Sequence, residues 1–132
     1  MARRKGTELS VFKGRGAKLN RSIFQALALK GPQTIYDIHK QVRALRGLRY
    51  TRYASVNKRV RSLEESGYIR KTGAKKTKAG FEAMIYEATF RAYLAILLNS
   101  LNLEVLVTQA DEGATSTILA AVIHNLQQTG YV

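Results

Sequence analysis

Apolar residues recur along this chain with helical spacing at first, then with strand-like alternation, then with helical spacing again. From Asn20, a residue suited to capping, Ile23, Phe24, Leu27 and Ala28 predict a helix. Gly31-Pro32 stops it, because glycine takes the left-handed cap and proline cannot continue the ladder. Thr34 then caps a second helix, with Asp37 three residues on and Ile35, Ile38, Val42 and Leu45 as its apolar stripe. Arg46-Gly47-Leu48-Arg49 reads as a turn. A third helix starts near Thr51, with Val56, Val60 and Leu63 facing inward, Tyr53 at the edge of that face and Gly67 as the stop.

The period shortens at Tyr68-Ile69-Arg70-Lys71-Thr72. A glycine-bounded basic loop, Gly73 to Gly80, separates this strand from a second one, Phe81 to Ala88, and the whole predicts a hairpin with a lysine-rich tip. Thr89 caps a further helix in which Leu94, Leu98, Leu101 and Val105 form a 4-3-4 seam. Asp111 to Thr115 is a polar break or helix start. A last helix carries Ile118, Leu119, Val122, Ile123 and Leu126 and ends near Gly130. The expected class is α+β, mainly α with a small β-hairpin.

Charge sharpens this outline. The chain has 132 residues, 22 Lys+Arg against 9 Asp+Glu, and a formal net charge of +13. Residues 1–21 hold seven of the cations with Glu8, and residues 22–88 hold fourteen with five acids. Residues 89–132 hold only Arg91 against Glu104, Asp111 and Glu112. A polycation followed by an apolar, mildly acidic segment implies a surface for a polyanion and a segment for packing or self-association. Three parts are expected: a flexible basic arm over 1–19 in which Leu9, Val11 and Phe12 can dock locally, a binding domain over 20–88 and a helical segment over 89–132.

The chain has no cysteine, which excludes disulfides, thiol catalysis and cysteine-based zinc sites. His39 and His124 lack a partnered nucleophile pattern, Glu64-Glu65 point in different directions, and the glycines lack the order of a nucleotide-binding loop. No enzyme, metal or cofactor is expected. Met1-Ala2-Arg3-Arg4-Lys5 is not followed by an apolar stretch, and polar residues interrupt the run from Ala92 to Val107, so neither a secretory signal nor a membrane span is expected.

Three helices followed by a hairpin is the element order of a winged helix-turn-helix. Val56-Asn57-Lys58-Arg59-Val60-Arg61-Ser62-Leu63-Glu64-Glu65-Ser66-Gly67-Tyr68-Ile69 resembles the recognition-helix signature of winged-helix transcription regulators, where Leu-Glu-x-x-Gly and an aromatic-aliphatic pair lead into a basic strand. The resemblance covers about residues 20–100. The fourteen residues from Val42 to Val56 exceed the usual tight turn and are similar to the PadR/MarR-like regulators of archaeal type. It implies a cytoplasmic, nucleoid-associated homodimer on double-stranded DNA, with the third helix in the major groove and the hairpin on the backbone or minor groove.

On a 100° wheel with Val56, Val60 and Leu63 buried, Thr51, Ser55, Lys58 and Ser62 face away from the core. Ala54, Arg61 and Glu65 lie beside them, and Asn57 and Arg59 fall on the flanks. Ser55, Asn57, Lys58 and Ser62 are the candidates for base edges. Arg49, Arg52, Arg59, Arg61, Arg70, Lys71, Lys75, Lys76 and Lys78 are the candidates for phosphate. Arg3, Arg4 and Lys5 suit a minor groove, and Thr34 with the amides that open the second helix suits one phosphate. Leu94, Leu98, Leu101, Val105, Ile118, Leu119, Val122, Ile123 and Leu126 are the candidate dimer interface. The alternatives are an RNA-binding or ribosome-associated winged helix, which needs the same cations, and a protein-interaction module. No pocket for a small-molecule effector is legible.

Overall fold

A computed structural model describes residues 9–130. It is mainly helical with a small three-stranded antiparallel sheet, and it divides into two compact units, one ending at Asn99 and the other beginning at Ser100.

In the first unit, a short 3-10 turn over Ser10–Phe12 precedes α1 (Ala17–Lys30). Val11 and Phe12 are buried, and the Phe12 ring meets Phe24 edge-on at 5.9 Å. The core therefore begins well inside the segment 1–19 expected as a flexible arm. Helix α1 starts at Ala17 rather than Asn20. Asn20 is a buried side chain whose amide donates to the Val11 carbonyl at 2.8 Å, which pins the turn to the helix. The buried stripe of α1 runs through Ile23, Phe24 and Leu27 with Ala26; Ala28 is exposed. Gly31, at φ 77, ends the helix as its sequence required.

Gln33–Thr34 forms β1, an element that is too short to show an alternating pattern. Buried Gln33 donates to the carbonyls of Ala26 (2.8 Å) and Gly31 (3.2 Å) and accepts from Gln41. It thus joins the end of α1 to α2 (Ile35–Arg43). Thr34 caps α2 by accepting from the Asp37 amide at 3.2 Å. Ile35, Ile38 and Val42 are buried, whereas Leu45 lies beyond the helix end and is only half-buried. Helix α3 spans Tyr53–Glu65, two residues later than expected, and buries Val56, Val60 and Leu63.

Strands β2 (Ile69–Lys76) and β3 (Glu82–Ala88) pair antiparallel, and β1 adds to the free edge of β3 in the order β1-β3-β2. The hairpin is longer than its sequence implies. Gly73 does not open a loop; it sits in β2 just after an irregularity between Lys71 and Gly73 that absorbs Thr72. The turn is Thr77 to Phe81, closed by the Thr77 amide on the Phe81 carbonyl at 2.7 Å, with Gly80 at φ 84. Tyr86 and Ile69 bury the root of the sheet against the helices.

Helix α4 (Phe90–Ser100) begins against the end of α3. The Thr89 hydroxyl donates to the Gly67 carbonyl at 2.7 Å, so it is spent there, while the Thr89 backbone carbonyl receives the first amides of α4. Arg91 donates to the Ser66 carbonyl at 2.7 Å, a cation at the negative end of α3. Ala92 and Ala95 are the buried positions of α4.

The second unit contains α5 (Leu103–Gln109), capped by Asn102, and α6 (Glu112–Gln128), capped by Asp111. Neither helix has a buried residue. The expected continuous seam is broken: Leu94 and Leu98 lie on α4, Leu101 in the interruption and Val105 on α5. Asn102 explains the break, because its side chain accepts from the Val105 amide and so starts a new helix. No single helix among the described residues is long and apolar enough to cross a membrane.

Candidate nucleic-acid interface

The outward face of α3 follows from its inward one. With Val56, Val60 and Leu63 in the core, Ser55, Lys58, Arg61 and Ser62 are exposed on the opposite side. Asn57 is half-buried, and its side-chain oxygen accepts from Arg61 Nε at 3.3 Å. The amide is thereby oriented, with its NH₂ group left to face a ligand. Thr51 precedes the helix and its carbonyl pairs with His39 Nε2 at 2.8 Å.

The candidate phosphate contacts fall into distinct groups. Arg59 turns inward: a Cβ built on Gly16 would come within 2.8 Å of its guanidinium, so it packs against the start of α1 instead of facing outward. Arg70 pairs with Glu87, its cross-strand neighbour, at 2.6 Å. Lys75 reaches the Asp37 carboxylate at 3.7 Å. These three cations are already engaged. Lys71, Lys76 and Lys78 are exposed, and no carboxylate among the described residues pairs with them. Only Lys78 lies in the turn, because Lys75 and Lys76 belong to β2. Thr34 is buried and its oxygen is used by the Asp37 amide, while the Asp37 carboxylate occupies the first turn of α2. That helix start is not open to a phosphate. Arg3, Arg4 and Lys5 lie outside the described residues.

A second basic surface gathers around the expected phosphate candidates Arg49 and Arg52. The loop from α2 to α3 curves around a concavity of about 660 Å³ lined by Arg43, Arg46, Arg49 and Tyr50. Arg43 donates through Nε to the Arg49 carbonyl at 3.2 Å, which stiffens the loop. Gly47, at φ 86, makes the turn, with Lys18 Nζ packed directly against it. With Arg52, these arginines recur every third residue from 43 to 52, so Arg43 and Arg46 join the expected Arg49 and Arg52 in one basic loop.

A groove of about 580 Å³ separates the start of α2, the start of α3 and the hairpin. Asn57 and Arg61 line it on one side and Thr77 and Met84 on the other. Its polar and aromatic walls come from segments up to 50 residues apart in sequence, such as Tyr36 and Tyr86, so no local motif announces it.

In the second unit, Ile118, Leu119, Val122 and Ile123 are all exposed on α6, and Val105 is exposed on α5. Leu126 and Leu101 are half-covered. An apolar cleft of about 210 Å³ runs between the two helices, bounded by Leu106, Ala110, Ile118, Leu119 and Val122. Residues 100–132 contain no lysine or arginine. Among the described residues no cluster of His, Asp or Glu has the arrangement of a metal site. No protein-family model, curated protein or solved structure matches the chain.

Proposed function

We propose that this chain is a dimeric, sequence-specific regulator of transcription that binds double-stranded DNA as a winged helix-turn-helix and has no enzymatic activity. The observation that carries the reading is the α3 face. Ser55, Lys58, Arg61 and Ser62 project from a helix buttressed by α1 and α2, and a hairpin bearing free Lys71, Lys76 and Lys78 follows it in the same unit. A single helix of that width enters a major groove, and cations on an extended hairpin suit phosphates alongside. The arginine loop from Arg43 to Arg52 adds backbone contacts at the other end of α3.

The second unit supplies the dimer. Two helices without one buried residue do not make a core by themselves, and their apolar faces are satisfied when a second copy covers them. Two recognition helices would then meet half-sites about one helical turn apart, roughly 34 Å. The absence of any lysine or arginine from residues 100–132 favours this reading over an RNA-bound structural protein, whose whole surface meets polyanion.

The test is site selection from random duplexes, followed by anisotropy titration at stated salt with the selected duplex, a scrambled duplex and a structured RNA. A selected motif is expected, bound more tightly than both competitors. Lys58→Ala should relax one or two positions of that motif and cost about 1–3 kcal/mol on it. Equal affinity for RNA and for scrambled DNA would overturn the reading.

A further inference from the structure

The groove between α2, α3 and the hairpin is richer in aromatic rings than phosphate contact requires. Tyr36 is 62% exposed, Tyr53 47%, Phe81 72% and Met84 40%, and all four line it. They come from three elements, and Tyr36 and Tyr53 each have a neighbouring side chain against the ring. Lys40 Nζ lies 5.7 Å from the Tyr36 ring centre. His39 meets the Tyr53 ring edge-on at 5.7 Å, and His39 is itself fixed by its bond to the Thr51 carbonyl. Phe81 is the last residue of the closed turn, its amide donating to the Thr77 hydroxyl at 3.2 Å. The Tyr53 ring, packed against a fixed His39, has part of its ordering cost met before a ligand arrives.

Between these rings stand the Asn57 amide and the Arg61 guanidinium, already bonded to each other. An amide and a guanidinium can address the hydrogen-bonding edge of a nucleobase, and a base has two π-faces for the rings. Free cations stand close to the groove in the chain: Lys58 precedes Arg61 on α3, Lys76 ends β2 and Lys78 lies in the hairpin turn. Arg61 and Glu82 are the charged residues that line the groove itself, and the lysines next to it in sequence make its surroundings net positive, which favours a nucleic-acid strand over a protein partner. A nucleic-acid strand satisfies rings and cations together.

We propose that this groove takes unstacked bases, so that the protein prefers duplex DNA interrupted by unpaired positions to continuous duplex. The inference rests on the DNA-binding reading and goes one step further, to the state of the DNA that the site accepts. An unpaired base enters such a groove at the least cost, because its stacking and pairing are already lost.

The experiment compares the full chain on three labelled DNAs at one salt concentration: a continuous duplex, the same duplex with a short central run of mismatched thymines, and the single strand. The mismatched duplex is expected to bind about tenfold more tightly than the continuous one, the size of one base-on-ring stacking contact. Phe81→Ala and, separately, Tyr36→Ala should each reduce that preference severalfold while leaving continuous-duplex affinity unchanged. Tyr36→Phe, which keeps the ring, should retain the preference. Affinities for mismatched and continuous duplex within about twofold of each other would overturn the inference while leaving the duplex-binding reading intact. So would a preference that survives both alanine changes. If none of the three DNAs binds, the DNA-binding reading itself fails.

Discussion

Gly67 shows how one residue joins three elements. It ends α3 at φ 82, its carbonyl receives the Thr89 hydroxyl, and a Cβ built on it would lie 2.7 Å from the Arg91 guanidinium. Gly67→Ala should therefore destabilise the protein by roughly 1–2 kcal/mol from the left-handed backbone alone. Displacing Arg91 from the Ser66 carbonyl adds to that loss. Urea unfolding followed by circular dichroism measures it, and an unchanged midpoint would show that the α3–β2 corner can adopt another turn. The glycine stop itself was legible, because a helix with buried Val56, Val60 and Leu63 must end where the apolar stripe does. The arginine behind it was not legible, since Arg91 lies 25 residues beyond Ser66, whose carbonyl it meets, and nothing in the local pattern links the two.

The hairpin is the element in which sequence and structure differ most. Its cations were readable as a set, but their states were not. Pairing of Arg70 with Glu87 depends on strand register, and pairing of Lys75 with Asp37 depends on a helix 38 residues earlier. Gly73 read as a loop boundary because glycine inside a strand is uncommon, yet here it accommodates an irregularity in the ladder. On α3, by contrast, one period and one stripe sufficed to find the exposed face, because burial of every third or fourth residue leaves no choice for the rest. Unequal cations give an unequal salt response. Lys76→Ala with Lys78→Ala should flatten the slope of log affinity against log salt by up to about 0.9 per lost phosphate contact. Lys75→Ala should change it less, because its charge is already shared with Asp37. Equal effects of the two changes would mean that the Lys75 pair opens on DNA.

Over the whole molecule, the exposed apolar faces of α5 and α6 are the surface on which the proposed dimer rests. Light scattering on the full chain is expected to give a dimer, and Ile118→Asp with Val122→Asp is expected to give a monomer, since buried carboxylates would face the partner copy without a counter-charge. A full chain that scatters as a monomer at all concentrations would remove the dimer and with it the palindrome. The confinement of every cation to the first part of the chain has a kinetic consequence as well. Every lysine and arginine precedes residue 100, and residues 100–132 carry only acids. On the proposed DNA-binding reading, the first part is drawn toward the polyanion and the last part is not. On that reading the time to capture is expected to lengthen as salt shortens the reach of the attraction.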